Sequence, residues 1–390
     1  MLFLDLKAQY KLIKKEIDSA IKRVLESGRF IGGEEVEKFE KEVVKFCGTK
    51  YAIGVNSGTD ALFLSLKALG VGKGDEVITT PFTFIATAEV IANLGAKPVF
   101  VDIDPKTFNI NPEKLLKKLN ELKRLNKLKK LKAMIPVYLF GQMADMSRIM
   151  AMARKYKLYV IEDAAQAIGA TIKLKIKNEK LKIMKAGAVG DCGCLSFFPS
   201  KNLGAYGDGG MVVTDNKELA DKIRLLRNHG SSPKEKYLNL VLGTNSRLDT
   251  IQAAILRVKL KYLSKWSKER AKKAEYYTYQ LNQLNQSNQF ITPYIAPDRT
   301  HIFHQYTIRV DGKLRTKLIK HLSKEGIPTM IYYSLPLHLQ PAFRYLSHKK
   351  GDFPESEKVA KEVLSLPVYP ELSRKSQDFV IKKIKEFFGQ

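Results

Sequence analysis

Ser196-Phe197-Phe198-Pro199-Ser200-Lys201-Asn202-Leu203-Gly204-Ala205-Tyr206-Gly207-Asp208-Gly209-Gly210 is the stretch on which the reading of the chain turns. A β-type run from Gly193 to Phe198 stops at Pro199-Ser200, and a loop with four glycines follows Lys201. The neighbours of Lys201 are aromatic, small or glycine, and no charge occurs before Asp208. A lysine enclosed by such groups loses hydration, which disfavours the ammonium and lowers its pKa. An amine in that state can attack a carbonyl and form a Schiff base. The glycines let the backbone come close to a bound group. From these residues alone, a Schiff-base lysine and a plain surface loop are both open.

Working outward, strand and helix patterns alternate. Short apolar runs at Tyr51–Val55, Glu76–Thr80, Pro98–Asp102, Ala133–Val137, Leu158–Ile161, Gly193–Phe198 and Met211–Thr214 read as strands. Helical spacing separates them, as in Ala61–Leu69, and two helices precede them over residues 6–26 and Glu34–Phe46. Strands joined through helices imply right-handed crossovers and a mostly parallel, buried sheet. Ligands of such sheets sit beyond the carboxyl ends of the strands. Polar residues fall at those ends: Gly58-Thr59 opening a helix, Asp163 and Gln166 after one strand, Ser196 and Lys201 after another, with Phe84 after a third. Each has an ordinary structural explanation. Together they supply a phosphate cradle, an anion, a flat ring and an amine, the set that pyridoxal 5'-phosphate (PLP) requires.

Composition bounds the alternatives. A chain of 390 residues exceeds one compact core, so two domains are expected. No apolar run reaches the ~18 residues of a membrane span. Met1–Tyr10 contains Asp5, Lys7 and Gln9 and lacks a signal-peptide core. Cys47, Cys192 and Cys194 are odd in number and mostly flanked by apolar residues, which fits a reduced cytoplasmic protein without disulfides. No zinc set is visible, since Cys192-x-Cys194 has no second pair.

The net charge of +27 invites a nucleic-acid partner, but the lysines are spread over the whole chain. They peak in two stretches. Residues 115–132 read as an amphipathic helix and 173–185 as an external hairpin or loop, both without the aromatic interleaving of a single-strand binder. Nucleic acid is therefore not expected as a partner, and neither stretch is assigned a function.

Residues 3–390 resemble the DegT/DnrJ/StrS nucleotide-sugar aminotransferases, which are fold-type I PLP enzymes. The resemblance is carried by Gly58-Thr59-Asp60-Ala61-Leu62, Phe82-Thr83-Phe84-Ile85-Ala86-Thr87, Pro98 to Asp104, Glu162-Asp163-Ala164-Ala165-Gln166, Ser196 to Lys201, Gly207-Asp208-Gly209-Gly210 and Asn245-Ser246-Arg247-Leu248-Asp249. It implies an α/β fold: a large PLP-binding domain, residues 1–255, with a mostly parallel seven-stranded sheet between helices, and a smaller α+β domain, residues 256–390. The N-terminal helix is placed against either.

By the same resemblance, Lys201 carries the Schiff base to PLP and shuttles a proton. Asp163 pairs with the ring nitrogen, Gln166 contacts the ring hydroxyl and Phe84 stacks on the ring. Gly58, Thr59 and Ser196 hold the phosphate. Asn245 reaches it from the neighbouring subunit of a homodimer, and Arg247 faces the substrate. Tyr332, Tyr333 and His338 match a substrate loop, although many relatives have His-Tyr in place of Tyr332-Tyr333. No metal is implied, so His301 and His304 are read as structural or substrate-lining. The implied reaction moves an amino group from L-glutamate to a keto group, at carbon 3, of a UDP- or dTDP-linked sugar. Carbon 4, or a non-catalytic PLP-binding regulator, are the alternatives. Family members that dehydrate sugars have histidine at the position of Lys201, so the lysine indicates a transaminase.

Overall fold

The structure, a computed structural model, describes residues 1–175, 181–235, 237–284 and 289–389. Helix α1 (Leu6–Ser27) starts where the Asp5 side chain accepts the Ala8 amide and ends at Gly28 in the left-handed region, φ 63°. Helix α2 (Glu34–Cys47) comes next. The alternation then begins: β1 (Tyr51–Val55), α3 (Gly58–Ala68), β2 (Glu76–Thr79), α4 (Ala86–Asn93), β3 (Lys97–Phe100), α5 (Pro112–Arg124), β4 (Leu131–Met134), α6 (Met146–Tyr156) and β5 (Tyr159–Asp163). Beyond these lie β6 (Thr171–Lys175), β7 (Leu181–Lys185), β8 (Cys192–Ser196), β9 (Gly210–Thr214) and α7 (Lys217–Leu226).

Seven strands form one sheet in the order β1-β9-β8-β5-β4-β2-β3. Only β9 runs against its two neighbours; the other pairings are parallel. This is the expected mostly parallel α/β sheet. Its strands are mostly apolar and buried because helices cover both faces. Register sets which strand ends come together. Asp163 lies opposite Cys194, and Ser196 opposite Gly210, which in turn faces Val55. The carboxyl ends of β1, β5 and β8 therefore meet along one edge.

Helix α8 (Thr250–Leu284) leads to a three-stranded sheet of β10 (Phe290–Ile291), β11 (Tyr306–Val310) and β12 (Val363–Leu366). Helices α9 (Gly312–Lys324), α10 (Pro354–Glu362) and α11 (Arg374–Phe387) complete it. This sheet has its own core around Tyr306, Ile308, Leu318, Leu364 and Ile384. Residues 255 and 256 fall inside α8, so no chain break or loop marks that expected boundary. Helix α1 packs on α8, with Ile17 and Ala20 against Ala254 and Val258. The amino terminus continues to the Gly326 carbonyl, 2.9 Å away.

Two local readings differ from expectation and a third agrees. The lysine-rich helix ends at Arg124 and does not reach residue 132: Asn126 takes φ 54°, the chain turns through Leu128–Lys130, and β4 starts at Leu131. Asparagine tolerates that backbone and acts as the stop signal. Pro328–Tyr333, which in sequence read as a strand following a helix over Leu314–Gly326, are not one. Met330 alone pairs, bridging Ser365 on the edge of β12 that faces away from β11. The basic stretch 173–185 does form a paired ribbon, β6 against β7, while residues 176–180 lie outside the described residues.

One buried carboxylate ties the two sheets' surroundings together. Asp102, after β3, accepts the amides of Glu355 and Ser356, the Ser356 hydroxyl and the Lys114 ammonium. It thereby caps α10 from 254 residues away. Burial alone would raise its pKa, but the bonds from Lys114, Ser356 and the two amides outweigh it and hold the carboxyl below its usual range. Asp102→Ala should lower stability by about 1–3 kcal/mol, since it strands buried donors, as measured by urea unfolding. Because the folded pKa is depressed, this contribution is complete above about pH 4 and lost as pH falls through the folded value. The wild-type and variant stabilities should converge in acid.

Candidate active site

At the meeting edge of β1, β5 and β8 lies a cleft of about 370 Å³. Its wall includes Gly58, Thr59, Phe84, Asp163, Gln166, Ser196, Lys201, Tyr332 and Tyr333. Nine of the twelve residues expected from sequence therefore converge. Gly58 and Thr59 open α3, where Ser57 caps the helix by accepting the Asp60 amide at 3.0 Å. Early helix amides have no partner within the helix and attract anions. A side chain at Gly58 would place its Cβ 2.7 Å from Ser196 Cβ, and one at Gly210 would meet the Ser57 carbonyl at 2.2 Å. Glycine at both is what lets the α3 turn and the end of β8 approach this closely.

Asp163 ends β5 and is 6% exposed. Its Oδ2 accepts the Thr87 hydroxyl at 2.8 Å and its Oδ1 the Ala165 amide at 3.3 Å. Burial pushes its pKa up, opposed by those two bonds and by the Lys201 charge. Lys201 lies after β8 in a tight loop, with its amide donating to the Phe198 carbonyl at 2.8 Å. Burial drives its pKa down to about 8, and the Asp163 charge resists. The amine and the carboxylate thus line one cleft and feel each other's charge. Gln166 accepts the Phe140 amide at 2.7 Å and donates to the Tyr333 hydroxyl at 3.4 Å. The Phe84 ring is 55% exposed and lies 6.1 Å from that of Tyr333.

Three expected residues lie elsewhere. His338 is buried away from the cleft, with Nε2 3.0 Å from Glu357 and its ring edge-on to Phe353. Asn245 is exposed. Arg247 donates to Asn228 at 2.8 Å and lines a separate open cavity of about 820 Å³ with His229, Lys234 and Tyr237.

Sequence reasoning left Thr83, Thr87 and Gln305 of the wall unassigned, and read His304 only as structural or substrate-lining. Thr87 supports Asp163, and Thr83 supports Thr87 at 3.1 Å. Both lie in the Phe82–Thr87 motif, Thr83 in the bend before α4 and Thr87 in its first turn. His304 and Gln305 also line the cleft. His304 Nδ1 sits 3.1 Å from Asn202 Oδ1, and burial, with the Lys201 and Arg270 charges, holds the imidazole neutral. His301 instead accepts the Phe303 amide at 2.9 Å. Among the described residues, no group of three or more His, Cys, Asp or Glu could hold a metal, and no helix is long and apolar enough to cross a membrane. Cys47, Cys192 and Cys194 are free and buried.

An amine of lowered pKa, a buried carboxylate and a helix N-terminus line one cleft, a set of groups suited to Schiff-base chemistry on a phosphate-bearing partner. Residues 11–385 match the DegT/DnrJ/EryC1/StrS aminotransferase family, and the chain belongs to it. It is 50% identical over 385 residues to the "pleiotropic regulatory protein" of Geobacillus stearothermophilus, covering 99% of this chain and 98% of that one. It is 43% identical over 374 residues to the UDP-2-acetamido-2-deoxy-3-oxo-D-glucuronate aminotransferase of Pseudomonas aeruginosa, covering 96% of each. Among solved structures, an aminotransferase of this family from Brucella abortus superposes with a TM-score of 0.92 at 41% identity over the whole of both chains. NtdA of Bacillus subtilis, solved with the bound cofactor PMP, gives 0.86 at 33% identity over 96% of this chain and 82% of that one. The protein is a PLP-dependent aminotransferase.

The charge balance at Lys201 is testable without cofactor. In the apoprotein, acylation of Lys201 followed by peptide mass spectrometry should show a pH midpoint near 8, not the ordinary 10.5. Because Asp163 raises the Lys201 pKa, Asp163→Asn should move the midpoint lower still.

Proposed function

We propose that the protein transfers the amino group of L-glutamate to the carbon-3 keto group of a UDP- or dTDP-linked sugar, in cell-surface polysaccharide or amino-sugar biosynthesis. The observation that carries this reading is the shared wall of Lys201 and Asp163. The name of the Pseudomonas aeruginosa relative, which acts on a 3-oxo sugar, supports carbon 3. Carbon 4 is the alternative position within the same chemistry.

Gly58, Thr59 and Ser196 would hold the cofactor phosphate, Phe84 would cover the ring and Gln166 would donate to its hydroxyl. Bound there, PLP supplies a carbonyl that carries nitrogen and a pyridine ring that takes up electrons released at a substrate carbon. The Asp163 carboxylate would hold a proton on the ring nitrogen, and Thr87 keeps Asp163 aimed. Lys201 has a pKa near 8, so a useful fraction is neutral at physiological pH. Its Nζ can therefore take a proton from the donor's amino-bearing carbon and return one to the acceptor's carbon.

Asn245 and Arg247 do not reach the cleft of their own chain. We assign them to the cleft of a second copy in a cytoplasmic homodimer, with Asn245 on the phosphate and Arg247 on the nucleotide-sugar. The large domain would end near residue 255 and the small α+β domain would carry the Tyr332-Tyr333 loop over the substrate.

The name of the Geobacillus relative favours a second reading, a PLP-binding regulator without turnover. Glutamate separates the two. It should change the absorption of the bound cofactor, and a regulator would leave that spectrum unchanged with every amino donor.

Three variants test the assignments. Lys201→Ala should keep its fold while losing borohydride-trapped cofactor and turnover; full transamination by that variant would refute the role. Asp163→Asn should lose at least ~100-fold in kcat, measured with saturating glutamate. Arg247→Ala should raise the KM of the sugar far more than that of glutamate; equal changes would remove it from the sugar site.

A further inference from the structure

Helix α8 carries two buried cations that the transamination chemistry does not use. Lys259 is 1% exposed and Arg270 4%. The Lys259 ammonium donates to the Gly204 carbonyl, three residues after Lys201, and lies 4.9 Å above the Tyr206 ring. Two turns earlier on α8, Gln252 accepts the Tyr206 amide at 2.8 Å. Residues seven apart share one helix face, so a single face of α8 grips the backbone of this loop twice. The loop is closed at its base, where the Ala205 amide donates to the Phe197 carbonyl at 2.7 Å.

Arg270 holds the other side. It donates to the carbonyls of Phe303, His304 and Val368 at 3.3, 3.4 and 2.7 Å. His304 in turn meets Asn202, next to Lys201. The counter-charge for both cations is Glu371, whose two carboxylate oxygens are buried without a hydrogen-bond partner among the described residues. Burying a lysine without a bonded carboxylate is costly, since desolvation disfavours its charge. A methionine would fill the same channel at less cost, and a surface loop needs no such clamp. The ammonium is spent on one backbone carbonyl, and that carbonyl belongs to the loop that carries Lys201.

We propose that Lys259 is a positioning residue for Lys201: its ammonium, bonded to the Gly204 carbonyl beside the Gln252 contact, holds the loop that seats the Lys201 amine in the cleft wall. The inference rests on Lys201 being the amine that binds PLP. A loop freed from α8 admits water to the amine and lets its nitrogen wander, and a misplacement of about 1 Å at a reacting group costs on the order of 100-fold in rate.

The test uses Lys259→Met, which keeps length and removes the donor, and Lys259→Arg, which keeps a donor and charge. Each is checked for fold by circular dichroism and thermal melting. In folded Lys259→Met apoprotein the acylation midpoint of Lys201 should rise from about 8 towards 10.5. The rate at which added PLP becomes borohydride-trappable on Lys201 should fall roughly 10- to 100-fold, with partial recovery in Lys259→Arg. A folded Lys259→Met with wild-type midpoint and wild-type trapping rate would overturn the proposal, because a purely structural lysine predicts that result. If Lys259→Met does not fold, Gln252→Ala decides: it releases the same loop without touching a buried charge and should shift the midpoint in the same direction, and an unchanged midpoint overturns the clamp. Failure of the wild-type protein to trap PLP on Lys201 would instead sink the parent assignment.

Discussion

Everything in the large sheet serves one electrostatic arrangement, an amine and a carboxylate withdrawn from water at the ends of neighbouring parallel strands. Each group is destabilised as an ion by burial, and each partly rescues the other. For Lys201 burial wins, and the amine settles near pKa 8. For Asp163 burial also wins, although Thr87, the Ala165 amide and the Lys201 charge restrain it. Reactivity and a retained proton partner thus come from the same desolvation. Exposed on a surface, the same two residues would be an ordinary screened ion pair.

Such a pair persists only if the strands cannot slide. Glu162, one residue before Asp163, points to the other side of the sheet. There it accepts the Tyr138 hydroxyl and the amides of Gly187, Val189 and Gly190, all within 2.8 Å. Asp191 accepts the Val160 amide at 2.7 Å from the same side. These bonds pin β5 to the turn before β8, so the register that sets Asp163 opposite Cys194 is held from behind. The loop beyond β8 has no sheet to hold it, and α8 supplies that restraint through Gln252 and Lys259.

How much of this was legible in the chain depends on range. The strand–helix alternation was visible because helical and extended periodicities differ and each is local. The stop at Asn126 was missed because leucine spacing continues through it, while a single left-handed residue ends the helix. Residues 328–333 look like a strand in isolation, but only Met330 reaches the edge of β12, and the Tyr332-Tyr333 segment turns away to line the cleft. His338 sits in a substrate-like stretch yet is turned onto Glu357, a partner 19 residues away that no local pattern announces. Thr87 was inside a quoted motif, but its role exists only through Asp163, 76 residues on.

The sequence by itself determined the class of sheet, the lysine and its apolar neighbours, and the glycines at the strand ends, because side-chain type and spacing act over a few residues. The tertiary structure alone decided which of those residues share a cleft, how far the Lys201 pKa falls, and which buried groups hold its loop. Those quantities depend on water exclusion and on contacts between distant segments, and both arise only when the helices close over the sheet.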